Sequence, residues 1–301
     1  MSTTMTGDTV STSVGPRFRL GRKASGRVTN ALAYLCILIF LTMALLPMAW
    51  MLSTALQTED QIRISAPVQW IPKPATLENF VTGWKADSNW LLYFRNNVYW
   101  ALVSSVGLVF SSTLVGYAFA RMQFPGREAL MLLNIALMLL PGQVTMIPRF
   151  LIWARVDLVG TWWPVTIPFF LLASPYYVFL MRQFLRTIPM ELSDAARIDG
   201  CNEFGIFWRI VIPLTKPAIA VLVAGHITWC WNALLTSLIY LKDNQHRQLI
   251  LALRGFIGER ARVGWGPLMA MSVLVALPVI VVYFFMQRYF IQAFILSGMK
   301  G

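Results

Sequence analysis

Met190-Glu-Leu-Ser-Asp-Ala-Ala-Arg-Ile-Asp-Gly200, continuing to Ile212-Pro213, is a polar, helix-forming stretch between long apolar ones. Pro189 suits a first helical position, where its missing N–H costs nothing. Glu191 and Asp194 put negative charge in the opening turns, which the helix dipole favours. Leu192, Ala195 and Ala196 fall at i, i+3 and i+4 and give a narrow face of mostly small side chains. Gly200 is placed to end the helix as a left-handed cap, and Asn202 to cap a second helix over Glu203–Val211 that carries Phe204, Phe207 and Trp208. Two short helices meeting at a glycine suit the docking of another protein. They suit equally an amphipathic loop lying on a membrane surface, and the residues alone leave both readings open.

The rest of the chain decides the class. Of 301 residues, 57% are hydrophobic and 13% charged, against about 45–50% and about 25% in soluble domains. The excess lies in long uninterrupted runs, so we read an all-α, polytopic membrane protein. A first run spans Ala31–Leu56, too long for a signal-peptide core of about 7–15 residues. Five more are expected at about 96–119, 129–151, 162–184, 217–240 and 268–291, each near the roughly 20 residues that cross hydrocarbon. Residues 1–30 are then an N-terminal tail and 31–301 one six-span transmembrane domain, with the polar stretch as a loop over about 186–217.

Arg17, Arg19, Arg22, Lys23 and Arg27 precede the first run and favour a cytoplasmic N-terminus. Six spans return the C-terminus to the same side. The Arg121–Arg127 turn and the loop from Arg182 to Lys216 then lie inside. Lys242, Arg247, Arg254, Arg260 and Arg262 fall outside, against the usual bias. Trp70, Trp84 and Trp90, in or near the first outer loop, read as interface residues, with contact to an external partner as the second reading. The net charge of +12 reflects topology rather than nucleic-acid binding.

Chemistry-bearing residues are few. The chain has no Gly-rich Lys-Ser/Thr phosphate loop, so it is not itself an ATPase. Cys36, Cys201 and Cys230 show no paired spacing, and no His/Cys/Glu cluster has metal-ligand spacing. His226 reads as a helix–helix hydrogen-bonding residue. The serines at 104, 105, 111 and 112 read as small residues at helix contacts. Thr228, Asn232 and Thr236 follow one another at i, i+4 and i+8. That stripe lines a water-filled pathway or forms a packing seam, and the sequence does not choose.

The spacing Asp194-Ala-Ala, three residues, Gly200, nine residues, Ile210-x-Ile-Pro213 resembles the "EAA" loop of ABC importer permeases. The fuller string, Ile188-Pro189 through Phe207-Trp-Arg-Ile-Val-Ile-Pro213-Leu-x-Lys-Pro217, resembles the carbohydrate-type subfamily of maltose and glycerol-phosphate importers, in particular its shorter permease subunit. Asp194 stands where that family usually has Glu, and Cys201 where a small residue such as Ala is usual. Further similarity, in order, lies in Asn96-Asn97, Tyr117-Ala-Phe-Ala-Arg121, Leu140-Pro-Gly-Gln-Val-Thr-Met-Ile-Pro148, Trp231-Asn232 and Gly298-Met-Lys-Gly301.

The resemblance implies a bacterial inner-membrane permease for a carbohydrate or similar polar solute. Glu191, Asp194, Ala195, Ala196, Asp199, Gly200 and Pro213 would meet the ATPase, and Thr228, Asn232 and Thr236 are candidates for the pathway. It implies a homologous second permease, two ATPase subunits carrying the ATP and Mg, and an external solute-binding protein. The alternative class is a channel or secondary transporter, which needs no docking loop and works without ATP.

Overall fold

A computed structural model describes residues 22–64, 69–257 and 264–298, with side chains over 29–62, 69–257 and 264–289. The expectations for the tail to residue 21, for Arg260 and Arg262, and for the terminal residues 299–301 fall outside them. The described residues are helical throughout, joined by turns and short irregular links. Residues up to Trp50 form one unit and residues from Met51 another. The first unit holds most of helix α1 (Arg22–Ala55). At a 1.5 Å rise its 34 residues extend about 50 Å, more than the roughly 30 Å of hydrocarbon.

The second unit continues with α2 (Glu59–Ile64), α3 (Glu78–Lys85), α4 (Trp90–Arg121), α5 (Arg127–Met138), α6 (Gly142–Arg155), α7 (Trp163–Leu171), α8 (Pro175–Leu185) and α9 (Glu191–Ile198). A helical run over Glu203–Leu214 follows, made of α10 (Glu203–Ile206), a π turn (Phe207–Val211) and α11 (Ile212–Leu214). Then come α12 (Lys216–Asn232), α13 (Leu234–Tyr240), α14 (Leu249–Ile257) and α15 (Trp265–Gly298).

Four stretches are long and apolar enough to cross a membrane unaided: Thr29–Ala55, Trp90–Arg121, Trp163–Leu185 and Trp265–Tyr289. The two remaining expected spans are not straight helices. The third, expected at about 129–151, is α5 and α6 bent by 98°. Pro141 removes an N–H at the bend and steers Leu140 away from helix. The fifth, expected as one helix over about 217–240, breaks at Ala233 (φ −79°, ψ 63°) into α12 and α13. A further bend of 72° separates Glu203–Leu214 from α12 at Thr215, next to Pro217. We read the span as starting at Lys216, with Glu203–Leu214 outside it.

Helix α4 is the element against which α7, α8, α12 and α14 pack. Its inner face is built from small residues, which lets neighbouring backbones approach closely. A Cβ on Gly107 would overlap the Phe170 ring, and one on Gly116 would lie 3.0 Å from Met181 Cβ. Ser104, Ser105, Ser111, Ser112 and Thr113 are all buried there. Ser111 Oγ donates to the Phe169 carbonyl at 2.8 Å and Trp100 Nε1 to that of Val165 at 2.9 Å. Ser104 Oγ lies 2.8 Å from His226 Nε2 on α12. This is the helix–helix hydrogen bond expected of that histidine.

Trp90 departs from its interface reading. It is 2% exposed, packed on Tyr93 and Phe256, and donates from Nε1 to the Gly83 carbonyl at 3.1 Å. Trp70 and Trp84 are about half exposed.

Candidate docking loop and pathway face

The polar stretch folds as α9, a left-handed turn, and the helical run from Glu203. Helix α9 starts two residues later than Pro189 suggests: Met190 is the N-cap and Glu191 the first helical residue. Its end is a Schellman motif. Gly200 has φ +81°, its N–H donates to the Arg197 carbonyl at 3.1 Å, and that of Cys201 donates to Ala196 at 2.9 Å. Asn202 then caps the next helix, its side chain accepting from the Gly205 N–H at 2.8 Å. Over Phe207–Val211 the helix widens to a π turn just ahead of Pro213, which offers no N–H.

The loop packs onto the bundle through one side of each helix. Ser193 and Ala196 of α9, with Ile206, Phe207 and Val211, are buried. Tyr117, Met181, Leu185 and Leu222 from α4, α8 and α12 complete that cluster. Ala196 therefore does not share an outward face with Leu192 and Ala195. At 100° per residue it projects 40° from Leu192 and 100° from Ala195, between Leu192 and the buried Ser193, so it falls on the side that meets the bundle. The exposed side carries Glu191, Leu192, Asp194, Ala195, Ile198, Asp199 and Gly200, continuing to Phe204, Trp208 and Pro213. Ile198 is 87% and Phe204 70% exposed, and these two apolar side chains were not among the expected docking residues.

Two residues of α4, one helical turn apart, fasten the start and the middle of the loop. Arg121 is 6% exposed; its Nη2 donates to the carbonyls of Leu185 at 2.9 Å and Ile188 at 2.6 Å, while Nη1 touches the Met190 sulfur. A buried guanidinium thus satisfies carbonyls released at the end of α8, where positive charge also suits the helix dipole. Tyr117 Oη donates to Glu203 Oε2 at 2.7 Å. Arg197 meets Glu203 at 2.9 Å and Asp194 at 2.6 Å. The hydrogen bonds from Tyr117 and then from Arg197 hold the Glu203 carboxyl below its ordinary pKa, while that with Glu203 chiefly raises the pKa of Arg197. Sequence reading missed Tyr117, Arg121, Arg197 and Glu203, although the i, i+4 spacing of Tyr117 and Arg121 at one helix end was a usable signal.

The pathway candidates divide. Thr228 and Asn232 are exposed on α12 together with Gly225 and Trp229, at i, i+3, i+4 and i+7. Thr228 Oγ1 donates to the Ala224 carbonyl and Asn232 Nδ2 to that of Thr228, each at 2.8 Å. The Thr228 hydroxyl hydrogen and one of the two Asn232 amide hydrogens are thus used on their own helix, and among the described residues neither side chain bonds to another helix. Thr236 does not continue the stripe, because it lies beyond the break at Ala233 on α13.

At the other end of α4, Asn96 Nδ2 donates to the carbonyls of Gln245 at 2.8 Å and Arg247 at 3.0 Å, and Asn97 Oδ1 accepts from the Leu249 N–H at 2.8 Å. The pair anchors the loop before α14. Among the described residues no group of three His, Cys, Asp or Glu is placed to hold a metal ion.

Residues 112–295 match the family model described as "Binding-protein-dependent transport system inner membrane component". The chain is 32% identical to the arabinooligosaccharides transport system permease protein of Bacillus subtilis over 81% of this chain and 86% of that one. It is 34% identical to the protein of the same name from Halalkalibacterium halodurans over 76% and 81%. Its fold resembles a chain in the crystal structure of a bacterial ABC transporter involved in the import of the acidic polysaccharide alginate. The TM-score is 0.77 at 22% identity, covering 90% of this chain and 99% of that one. A matched model over more than half the chain, on a bundle of that fold, leaves one assignment: the chain is a multi-pass permease of the ABC importer type and belongs to the family of binding-protein-dependent transport system inner membrane components.

Proposed function

We propose that this permease forms half of a translocation pathway for a carbohydrate or similar polar solute, and that its 186–217 loop takes the force from a separate ATPase subunit. The observation that carries the reading is the pair of α4 fastenings. Arg121 and Tyr117 tie the start and the middle of an outward-facing, partly apolar loop to the central helix, so a displacement of the loop is passed to the bundle. Glu191, Leu192, Asp194, Ala195, Asp199, Gly200 and Pro213 form the contact surface, joined by Ile198 and Phe204, with Ala196 behind it. ATP and Mg belong to two ATPase subunits, and closure of those subunits biases the bundle between inward and outward openings.

No side chain of helix α6 is fully buried, with only Phe150 and Trp153 packed partly buried against the cluster around Trp100 and Tyr240; its exposed remainder supports a homologous second permease as its neighbour. The face of α12 bearing Thr228 and Asn232 then borders the pathway between the two permeases, and an external binding protein delivers the solute. Both termini lie in the cytoplasm. The carbohydrate class rests on the relatives' transport of arabinooligosaccharides. Co-purification of the chain with an ATPase subunit, followed by vanadate-sensitive uptake, tests the reading. Uptake that proceeds without ATP and without an ATPase partner would replace it with a channel or secondary transporter.

A further inference from the structure

Helix α3 (Glu78–Lys85) reverses the usual amphipathic arrangement, in which apolar residues face the protein and polar ones the water. Its buried residues are Asn79 and Gly83. Asn79 Nδ2 donates to the carbonyls of Ala55 at 3.0 Å and Gln57 at 2.6 Å. A Cβ on Gly266 would lie 2.4 Å from Asn79 Oδ1, and one on Gly83 would lie 2.7 Å from Met271 Cγ. Leu77, the N-cap, shares the opposite side with Val81 and Trp84, at i, i+4 and i+7. These three are 67%, 51% and 51% exposed. Glu78, Thr82 and Lys85 run along one edge of the stripe and are exposed as well. The helix thus has an apolar side, a polar side and a side closed against the protein.

Its neighbours fix its level in the membrane. Ala55 ends the candidate span Thr29–Ala55, and Gly266 and Met271 lie in the first turns of the span Trp265–Tyr289. Trp90, at the start of α4, donates from Nε1 to the Gly83 carbonyl, so this level is the end of α4 remote from Arg121. Trp70, whose carbonyl accepts from Ser53 Oγ at 2.7 Å, is exposed there, as are Trp84 and Trp265. Tryptophan collects at the boundary between membrane and water.

We propose that α3 is an interfacial helix whose partner is the lipid of the leaflet remote from the docking loop. The Leu77–Val81–Trp84 stripe enters the boundary between headgroups and acyl chains, where such helices sink their apolar side by about 5–10 Å. Glu78, Thr82 and Lys85 face water. Because Asn79 and Gly83 join α3 to two span ends, the lipid contact sets the depth at which those ends sit. The proposal goes beyond the permease reading and requires only that the two spans cross the membrane.

The test places a nitroxide at single cysteines, Val81→Cys and Trp84→Cys on the stripe, Thr82→Cys and Lys85→Cys on the polar edge, with the three native cysteines replaced. The full chain with its transporter partners is reconstituted in nanodiscs of phosphatidylcholine and phosphatidylglycerol. Power-saturation EPR compares collisions with oxygen, which concentrates in lipid, and with a water-soluble nickel chelate. MgATP hydrolysis in each sample shows that the complex is intact. Oxygen collisions are expected to exceed nickel collisions at the two stripe positions, with the order reversed at the two edge positions. Nickel collisions at Val81→Cys and Trp84→Cys as frequent as at Lys85→Cys would put the stripe in water and overturn the proposal. Shielding of the stripe from both reagents would assign it to a protein partner and overturn the proposal equally. That partner would be the second permease, or the external binding protein where shielding appears only on its addition.

Discussion

Tyr117 and Glu203, 86 residues apart in sequence, are joined by a 2.7 Å hydrogen bond from the phenol to the carboxylate. Glu203 opens the helix that follows the left-handed turn, and Tyr117 sits one turn from the end of α4. The bond therefore crosses from the loop to the central helix of the bundle. Arg121 holds the start of the same loop, so α4 is bonded to it at two points.

Tyr117→Phe removes that hydroxyl and keeps the ring contact with Phe207 at 5.3 Å. We expect a cost of about 1–2 kcal/mol in the fastening, since the acceptor is charged, and transport per ATP hydrolysed lowered several-fold with the complex still assembled. The sign of the pH effect follows from the depressed Glu203 pKa. Its stabilising contribution is complete above the unfolded carboxyl pKa and is lost as pH falls through the folded one. The loss of coupling on acidification is accordingly expected to be smaller in Glu203→Gln. Uptake and hydrolysis measured together in proteoliposomes across that range check both points.

Gly200 separates backbone from docking effects. A Cβ there meets nothing within 4 Å in this chain, while φ is +81°. Gly200→Asn keeps a residue that tolerates the left-handed region, whereas Gly200→Val carries its cost of roughly 1–2 kcal/mol. If a partner approaches this glycine, both variants lose ATPase association despite normal insertion. If only the turn matters, Asn is near wild type and Val alone is impaired. We expect the first pattern, read by co-purification yield.

Asn232→Leu is expected to cut uptake sharply with little change in complex yield, because its amide bonds within its own helix and not to a neighbour. Thr236→Val, beyond the break, is expected to leave uptake within about twofold; a change of that size is below about 0.5 kcal/mol, the usual range for surface substitutions. Equal losses in the two variants, or low yield with normal transport per complex for Asn232→Leu, would remove Asn232 from the pathway.

The loop's local structure was legible because it is set by neighbours in sequence. Gly200 and Asn202 occupy the only kinds of position that a left-handed cap and an N-cap need, and both adopt them. Ala196 was misread because an amphipathic pattern with small residues on both flanks does not fix the helix rotation; burial of Ser193 does. The Tyr117, Arg121, Asn96 and Asn97 contacts reach between 64 and 152 residues along the chain, which no local pattern encodes. The breaks at Ala233 and near Pro141 differ in the same way. Proline marks one in sequence, while Ala233 has no such marker.

The central claim is that the loop meets the ATPase. Ile198, at 87% exposure, is the side chain best placed to report it. Ile198→Cys, in a chain otherwise free of cysteine, is expected to cross-link to the ATPase subunit through a short bifunctional thiol reagent when surface cysteines are installed there. The yield is expected to change between nucleotide-free and ATP-bound complexes, while Lys85→Cys gives no cross-link and labels from the opposite side of the membrane. Labelling of Ile198→Cys from outside intact cells, or no cross-link in a complex that still transports, would contradict the account.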